Sequence, residues 1–182
     1  MNQIKIALFV VLCSLIQITF AAVRLPKLIS DGAVLQSNVE LKIWGWASPG
    51  EQVDVLFKNK KYTAKTDQNG NWKVMLSPQL SGGPFEMTIE GNNKIVLQNL
   101  MVGEVWRCSG QSNMELTMQR VKDKYPEEII HSENAKIRQF LVPDQYDFNA
   151  PAVDFEGGSW MEANPENIEN FSAIAYFFAT EL

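Results

Sequence analysis

Residues 71–89, Asn71-Trp72-Lys73-Val74-Met75-Leu76-Ser77-Pro78-Gln79-Leu80-Ser81-Gly82-Gly83-Pro84-Phe85-Glu86-Met87-Thr88-Ile89, hold two period-two runs on either side of a turn signal. Trp72, Val74 and Leu76 alternate with Lys73 and Met75, and Phe85, Met87 and Ile89 repeat the design after Gly82-Gly83-Pro84. That period places alternate side chains on one face of a strand. Upstream the same pattern recurs. Val39, Leu41 and Ile43 alternate with Glu40 and Lys42, and Val53, Val55 and Phe57 alternate with Asp54 and Leu56. Turn signals separate the runs at Ser48-Pro49-Gly50, Asn59-Lys60, Asp67-Gln68-Asn69-Gly70 and Gly91-Asn92-Asn93. Spacing of roughly 8 to 12 residues predicts an antiparallel β-sandwich of about seven strands, immunoglobulin-like in size, over residues 23–100. Trp44 and Trp46 flank Gly45 on one strand face, a position that predicts core packing, with a sugar-stacking platform as the other use.

Past Leu100 the period changes. Met101, Val102, Val105 and Trp106 form an apolar run to Cys108, bounded by Ser109-Gly110, as a buried parallel strand would be. Residues 114–124 carry helical character, Ile137 to Val142 reads as a second strand ending at Pro143, and a helix is predicted from Asn170 with Phe171, Ile174, Ala175, Phe178 and Leu182 on one face. A β-α-β-α order opens an α/β sheet. The apolar face of the last helix is still running at Leu182, with no glycine cap or basic last turn. Two parallel strands and two helices cannot cover both faces of such a sheet, so residues 101–182 read as the incomplete start of an α/β domain with an exposed apolar face.

The chain has 182 residues, 46% of them hydrophobic, with a formal charge of -5 and a single histidine. No basic surplus exists from which to build a phosphate-binding face, so nucleic acid is not an expected partner. One histidine disfavours a histidine-built metal site, and neither metal nor cofactor is expected. Residues 1–22 read as a signal peptide: Lys5 gives a positive start, Ile6 to Ile18 an apolar run too short for a confident span, and Thr19-Phe20-Ala21-Ala22 small residues for cleavage. Secretion or export to a periplasm is therefore expected, with no stable membrane insertion after cleavage. Removing this segment takes Lys5 and Cys13 with it and leaves Cys108 alone, without an internal disulfide.

Gly110-Gln111-Ser112-Asn113-Met114 falls where the first α/β strand is expected to hand over to a helix. A serine at a helix N-terminus has unpaired N–H groups and a positive end dipole nearby, which suits a nucleophile whose reaction develops an oxyanion. Ser112-Asn113-Met114-Glu115 also matches the S-x-x-E capping box, in which the hydroxyl only satisfies a backbone N–H. The G-x-S-x-G elbow does not apply, because Met114 stands where its second glycine belongs.

Gly103-Glu104-Val105-Trp106-Arg107-Cys108-Ser109-Gly110-Gln111-Ser112-Asn113-Met114-Glu115 resembles the nucleophile block of the sialate O-acetylesterases, carbohydrate esterases of the SGNH-hydrolase superfamily. Leu25 to Gln36, with Ile43-Trp44-Gly45-Trp46-Ala47, is similar to the start of the β-domain that precedes the esterase domain in bacterial members. Phe171 to Phe178 is similar to the helix after the second strand. The resemblance implies a flavodoxin-like α/β domain after the sandwich, an O-acetylated sugar or glycan as substrate, Ser112 as nucleophile and one oxyanion donor, and Gln111 and Asn113 as substrate-binding neighbours. It also implies that the remaining oxyanion glycine and asparagine, and the activating Asp and His, lie beyond residue 182. An incomplete, inactive N-terminal piece of an esterase is the resulting expectation. The alternative is a non-catalytic carbohydrate-binding sandwich.

Other candidates read as structural. His131 matches none of the family's catalytic positions and reads as a solvated residue before the second strand. Cys108 reads as a small packed hydrophobe at a strand end. Asp144, Asp147, Asp154 and Glu156 lie in a long Pro143 to Pro165 segment that lacks EF-hand spacing and reads as a solvated insertion or lid.

Overall fold

The structure, a computed structural model, describes residues 21–147 and 149–182, so the predicted signal segment 1–22 lies outside the described residues except for its last two. Seven strands follow: β1 Val34–Gln36, β2 Leu41–Trp46, β3 Gln52–Phe57, β4 Lys60–Lys65, β5 Asn71–Leu76, β6 Gly82–Glu90 and β7 Lys94–Gly103. Five of them form one sheet in the order β1-β7-β6-β3-β4, and β2 pairs with β5. Their inward residues meet in one core. Leu41 and Ile43 of β2, Val53, Val55 and Phe57 of β3, Trp72, Val74 and Leu76 of β5, and Met87 and Ile89 of β6 are all buried there. The period-two reading selects these positions together with Val39, which lies before β2 and is exposed, and Phe85, which is only partly buried. The five-plus-two division, with β1 parallel to β7, differs from the four-plus-three division of an immunoglobulin constant domain.

Gly45 shows how the Trp-Gly-Trp stretch is used. It stands opposite Trp72 in the β2–β5 ladder, and a Cβ there would lie 3.1 Å from the Trp72 ring and against the Arg24 carbonyl. The glycine faces inward and leaves room for the indole, so Trp44 and Trp46 face outward. Both remain partly exposed, and only Trp44 touches the rim of the core, contrary to the core packing expected of the pair.

The second half departs further from expectation. Its elements are α1 Met118–Val121, α2 Pro126–Ile130, β8 Asn134–Phe140, β9 Trp160–Ala163, a 3-10 turn Ile168–Asn170 and α3 Ala173–Thr180. The Met101 to Cys108 run is not a strand of a second sheet. Its first three residues complete β7, while Val105, Trp106 and Cys108 are exposed. β8 pairs antiparallel with β9, inside the segment read as a solvated insertion, so no parallel pair forms between the Met101 run and β8. Met118, Ala163, Ile168, Phe171, Ala173 and Tyr176 make a second, smaller core. α3 buries Ala173 and Tyr176, whereas Ile174, Phe178 and Leu182, expected on the buried face, are exposed.

Arg138 joins the halves. β7 carries one extra residue against β6 between the pairs Phe85–Leu100 and Met87–Leu97, and Asn99 in this bulge has φ of 56°. A bulge of this kind turns its backbone groups away from the ladder. The Gln98 N–H donates to Asp31 Oδ1 at 2.8 Å, and the Gln98 carbonyl accepts from the Gly32 N–H at 3.0 Å. Into the concave surface so formed, Arg138 on β8 inserts a side chain only 3% exposed. It donates from Nη1 to the carbonyls of Gly32 and Asn99, from Nη2 to Asn99 Oδ1, and from Nε to the Ala135 carbonyl. Burial lowers the pKa of its guanidinium, and Glu162 on β9, 3.7 Å away, opposes that shift. Trp160 Nε1 donates to the Leu28 carbonyl at 2.9 Å, and Asp154 accepts from the Lys27 N–H at 3.2 Å. Removing one partner from a buried charged network strands the others without water. Arg138→Ala is therefore expected to lower the unfolding free energy by about 3 kcal/mol in urea denaturation, with Arg138→Lys recovering only part of it. A loss under about 0.5 kcal/mol would show that the halves are held by other contacts.

Candidate functional site

The segment after β7 is anchored before it reaches Ser112. The Gly103 carbonyl accepts from the Ser37 N–H at 2.8 Å, and Gln36 Oε1 accepts from the Val105 N–H at 2.9 Å. Glu104 takes hydrogen bonds from Gln36 Nε2 and Ser37 Oγ at 3.2 and 3.3 Å. β1 and the start of the Gly103–Glu115 stretch, distant in sequence, are thus one structural unit. Beyond it Trp106 packs edge-on to Phe178 of α3, with ring centroids 5.3 Å apart.

Gln111 to Met114 form a tight turn in which the Met114 N–H donates to the Gln111 carbonyl at 2.8 Å. Gln111, Ser112 and Asn113 are all exposed on it. No helix begins here. α1 starts at Met118 behind Thr117, whose side chain makes no cap bond, and the Ser112-Asn113-Met114-Glu115 capping box is not formed. The reason is tertiary: Thr117 bridges Ser172, the Met118 N–H donates to the Phe171 carbonyl, and the Ala173 N–H donates to the Leu116 carbonyl. Those interactions hold Leu116 and Thr117 extended against the start of α3. Ser112 accordingly has no helix N-terminus behind it, and the dipole argument does not apply.

The turn rests on the cap of α3 instead. Ser172 Oγ accepts from the Ala175 N–H at 3.4 Å and donates to the Met114 sulfur at 3.5 Å. The Ser172 N–H donates to Gln139 Oε1 on β8 at 2.9 Å. Gln36, Glu104, Gln139 and Ser172 therefore position this segment. Sequence reasoning did not single them out individually, although all but Gln139 lie in stretches that carry the family resemblance.

Among the described residues no side chain hydrogen-bonds Ser112, and none supplies it with a base. His131 is 74% exposed and pairs with Glu127 one helical turn away, at 3.3 Å. Asp147 accepts from the Asn149 backbone, Asp154 binds the Lys27 backbone, and no group of acidic, histidine or cysteine side chains arranged to hold a metal occurs among the described residues. A cavity of about 40 Å³ lies beside Arg138, between Gly32, Asn99, Trp160 and Glu162. A groove of about 200 Å³ crosses the outer face of β3 and β6 at Leu56, Lys58 and Phe85. Neither includes Ser112, which sits on open surface. Cys108 is exposed as well, against the expectation of a packed thiol. One equivalent of a thiol reagent should modify it in native buffer, at a rate that denaturant raises less than about tenfold, with the site checked by peptide mass spectrometry. Protection until unfolding would restore the packed reading.

No family model matches the chain. Sialate O-acetylesterases of Homo sapiens and Pongo abelii are each 29% identical to it over 180 residues, covering 87% of this chain and 34% of the relative. The mouse sialate O-acetylesterase is 33% identical over 110 residues, covering 54% of this chain and 20% of the relative. The crystal structure of a carbohydrate acetylesterase from Xanthomonas citri superposes with a TM-score of 0.84 at 37% identity, over 88% of this chain and 37% of that one. The chain spans about a third of the length of the human and orangutan relatives and of the solved esterase. Sequence identity and structural fit, coinciding over nearly nine tenths of the chain, support its placement in a sialate O-acetylesterase-like family.

Proposed function

We propose that this chain carries the nucleophile segment of an exported carbohydrate O-acetylesterase that acts on O-acetylated sugars, sialic acid among them. The observation that carries the reading is Ser112 itself, presented bare on a tight turn inside the stretch that resembles the family's nucleophile block. Ser112 Oγ would attack the acetyl carbonyl carbon, the Ser112 N–H would donate to the developing oxyanion, and the sugar hydroxyl would leave, giving an acetyl-serine that water hydrolyses. Gln111 and Asn113, exposed on either side, would meet the sugar in this reading.

The attack requires a base to take the serine proton, and no described residue is positioned for that role. An unassisted serine hydroxyl is a weak nucleophile, with general-base help and each oxyanion donor worth on the order of 100-fold or more. These 182 residues alone are inactive in this reading. Purified chain and a Ser112→Ala variant should hydrolyse 4-nitrophenyl acetate and O-acetylated sialic acid at rates within about twofold of each other. A fluorophosphonate probe should leave Ser112 unlabelled. A clear Ser112-dependent rate that His131→Asn abolishes would instead make His131 the base.

A further inference from the structure

The outward face of the β2–β5 ribbon gathers two indoles and three cations that, among the described residues, have no carboxylate partner. On β2, Lys42, Trp44 and Trp46 face out, and on β5, Asn71, Lys73 and Met75 do so. The ladder sets Lys73 opposite Trp44, Asn71 opposite Trp46 and Met75 opposite Lys42. Arg24, ahead of β1, bridges Trp46 and lays its guanidinium 5.3 Å from the ring centroid. The Lys42 ammonium lies 5.5 Å from the Trp44 ring. The two indoles meet edge to face with centroids 5.3 Å apart, so they form a corner rather than a flat stack.

Three cations on one small face stand out in a chain of net charge -5. Among the described residues, none of Arg24, Lys42 and Lys73 has a carboxylate partner. The neighbouring acids do not neutralise them. Asp67 is engaged inside its own turn by the N–H groups of Asn69 and Asn71, and Glu40 stands outside β2 at the margin. A cation held on an indole face keeps the ring oriented and its own remaining donors free, because the attraction uses the ring quadrupole and not a hydrogen bond. Indoles with part of a face exposed take apolar C–H surfaces, and the flanking donors take negative oxygen.

We propose that this face is a binding platform for carboxylate-bearing saccharides, with pyranose C–H faces packed on Trp44 and Trp46 and the sugar carboxylate paired with Lys42, Lys73 and Arg24. The platform is separate from the Ser112 turn and does not rest on the esterase reading. A charge-only surface would not need the indoles, and a neutral-sugar platform would not need three unpaired cations.

Affinity electrophoresis of the full chain in gels containing polysialic acid or polygalacturonate tests this, since neither carries an ester for Ser112 to hydrolyse. Retardation is expected in both, at least about tenfold stronger than in gels containing neutral xylan or polyglutamate. Trp46→Ala should weaken it by about tenfold. The double variant Lys42→Glu with Lys73→Glu, which alters only exposed side chains, should abolish it while thermal unfolding stays unchanged. Absence of retardation, equal retardation by polyglutamate, or full retention by the double variant would each overturn the proposal. The esterase assay reads a different residue, so either result stands without the other.

Discussion

A buried guanidinium organises this molecule. Arg138 leaves β8, crosses into the sandwich and satisfies carbonyls on Gly32 and Asn99 that the β-ladders leave unpaired. Those acceptors exist only because β7 bulges at Gln98–Asn99 and the Asp31–Gly32 loop closes over the bulge. A planar group with five donors in fixed directions can serve several backbone acceptors at once, which the point charge of a lysine cannot do. Sheet, bulge, loop and β8 therefore depend on one another, and Glu162 on β9 adds the compensating charge. Trp160 and Asp154 extend the same seam to Leu28 and Lys27.

With β8 held there, the rest of the second half follows from backbone pairing. Gln139 on β8 fixes the Ser172 N–H, Ser172 caps α3, and the 171–173 stretch draws Leu116 and Thr117 into an extended bridge ahead of α1. The Ser112 turn is what remains between that bridge and the anchored segment at Gly103–Val105. Its exposure is thus a consequence of restraints at both ends. The same restraints keep any helix N-terminus away from Ser112, so electrostatic help for an oxyanion reduces to local N–H groups. α3 in turn shows Ile174 and Phe178 to solvent, with Trp106 lying across Phe178, and Leu182 beyond its end is exposed as well.

Charge and aromatic content are unevenly divided over the surface. Acidic residues outnumber basic ones in the whole chain, yet the β2–β5 face gathers Arg24, Lys42 and Lys73 around two indoles. Gly45 is the local cause. Lacking a Cβ, it lets Trp72 occupy the inner side of the ribbon and commits both neighbouring tryptophans to the outer side. A core assignment for Trp44 and Trp46 failed because parity says only that two side chains share a face, and the large ring on the partner strand decided which face that was.

Four strands of the first half, β2, β3, β5 and β6, were legible in the sequence because each carries its own evidence of burial: period two in Val53-Asp54-Val55-Leu56-Phe57 and Trp72-Lys73-Val74-Met75-Leu76 makes one face apolar wherever the strand is placed. Family membership was legible in a run of specific residues around Ser112. Partnership was not. An apolar run such as Met101-Val102 carries no record of whether it will close a sandwich or open a new sheet, and Ile137 on β8 gives no sign that its neighbour will be Trp160–Ala163 rather than the Met101 run. A capping box at Ser112 and a helix face at Ile174 and Phe178 are local preferences worth about 1 kcal/mol or less per contact, and several long-range backbone hydrogen bonds outweigh them. Local periodicity and composition thus determined the strands and their inward residues, while the bulge at Asn99, the Arg138 seam and the bridge at Thr117–Ser172 were decided in three dimensions, where carbonyls and N–H groups far apart in the chain had to find partners away from water.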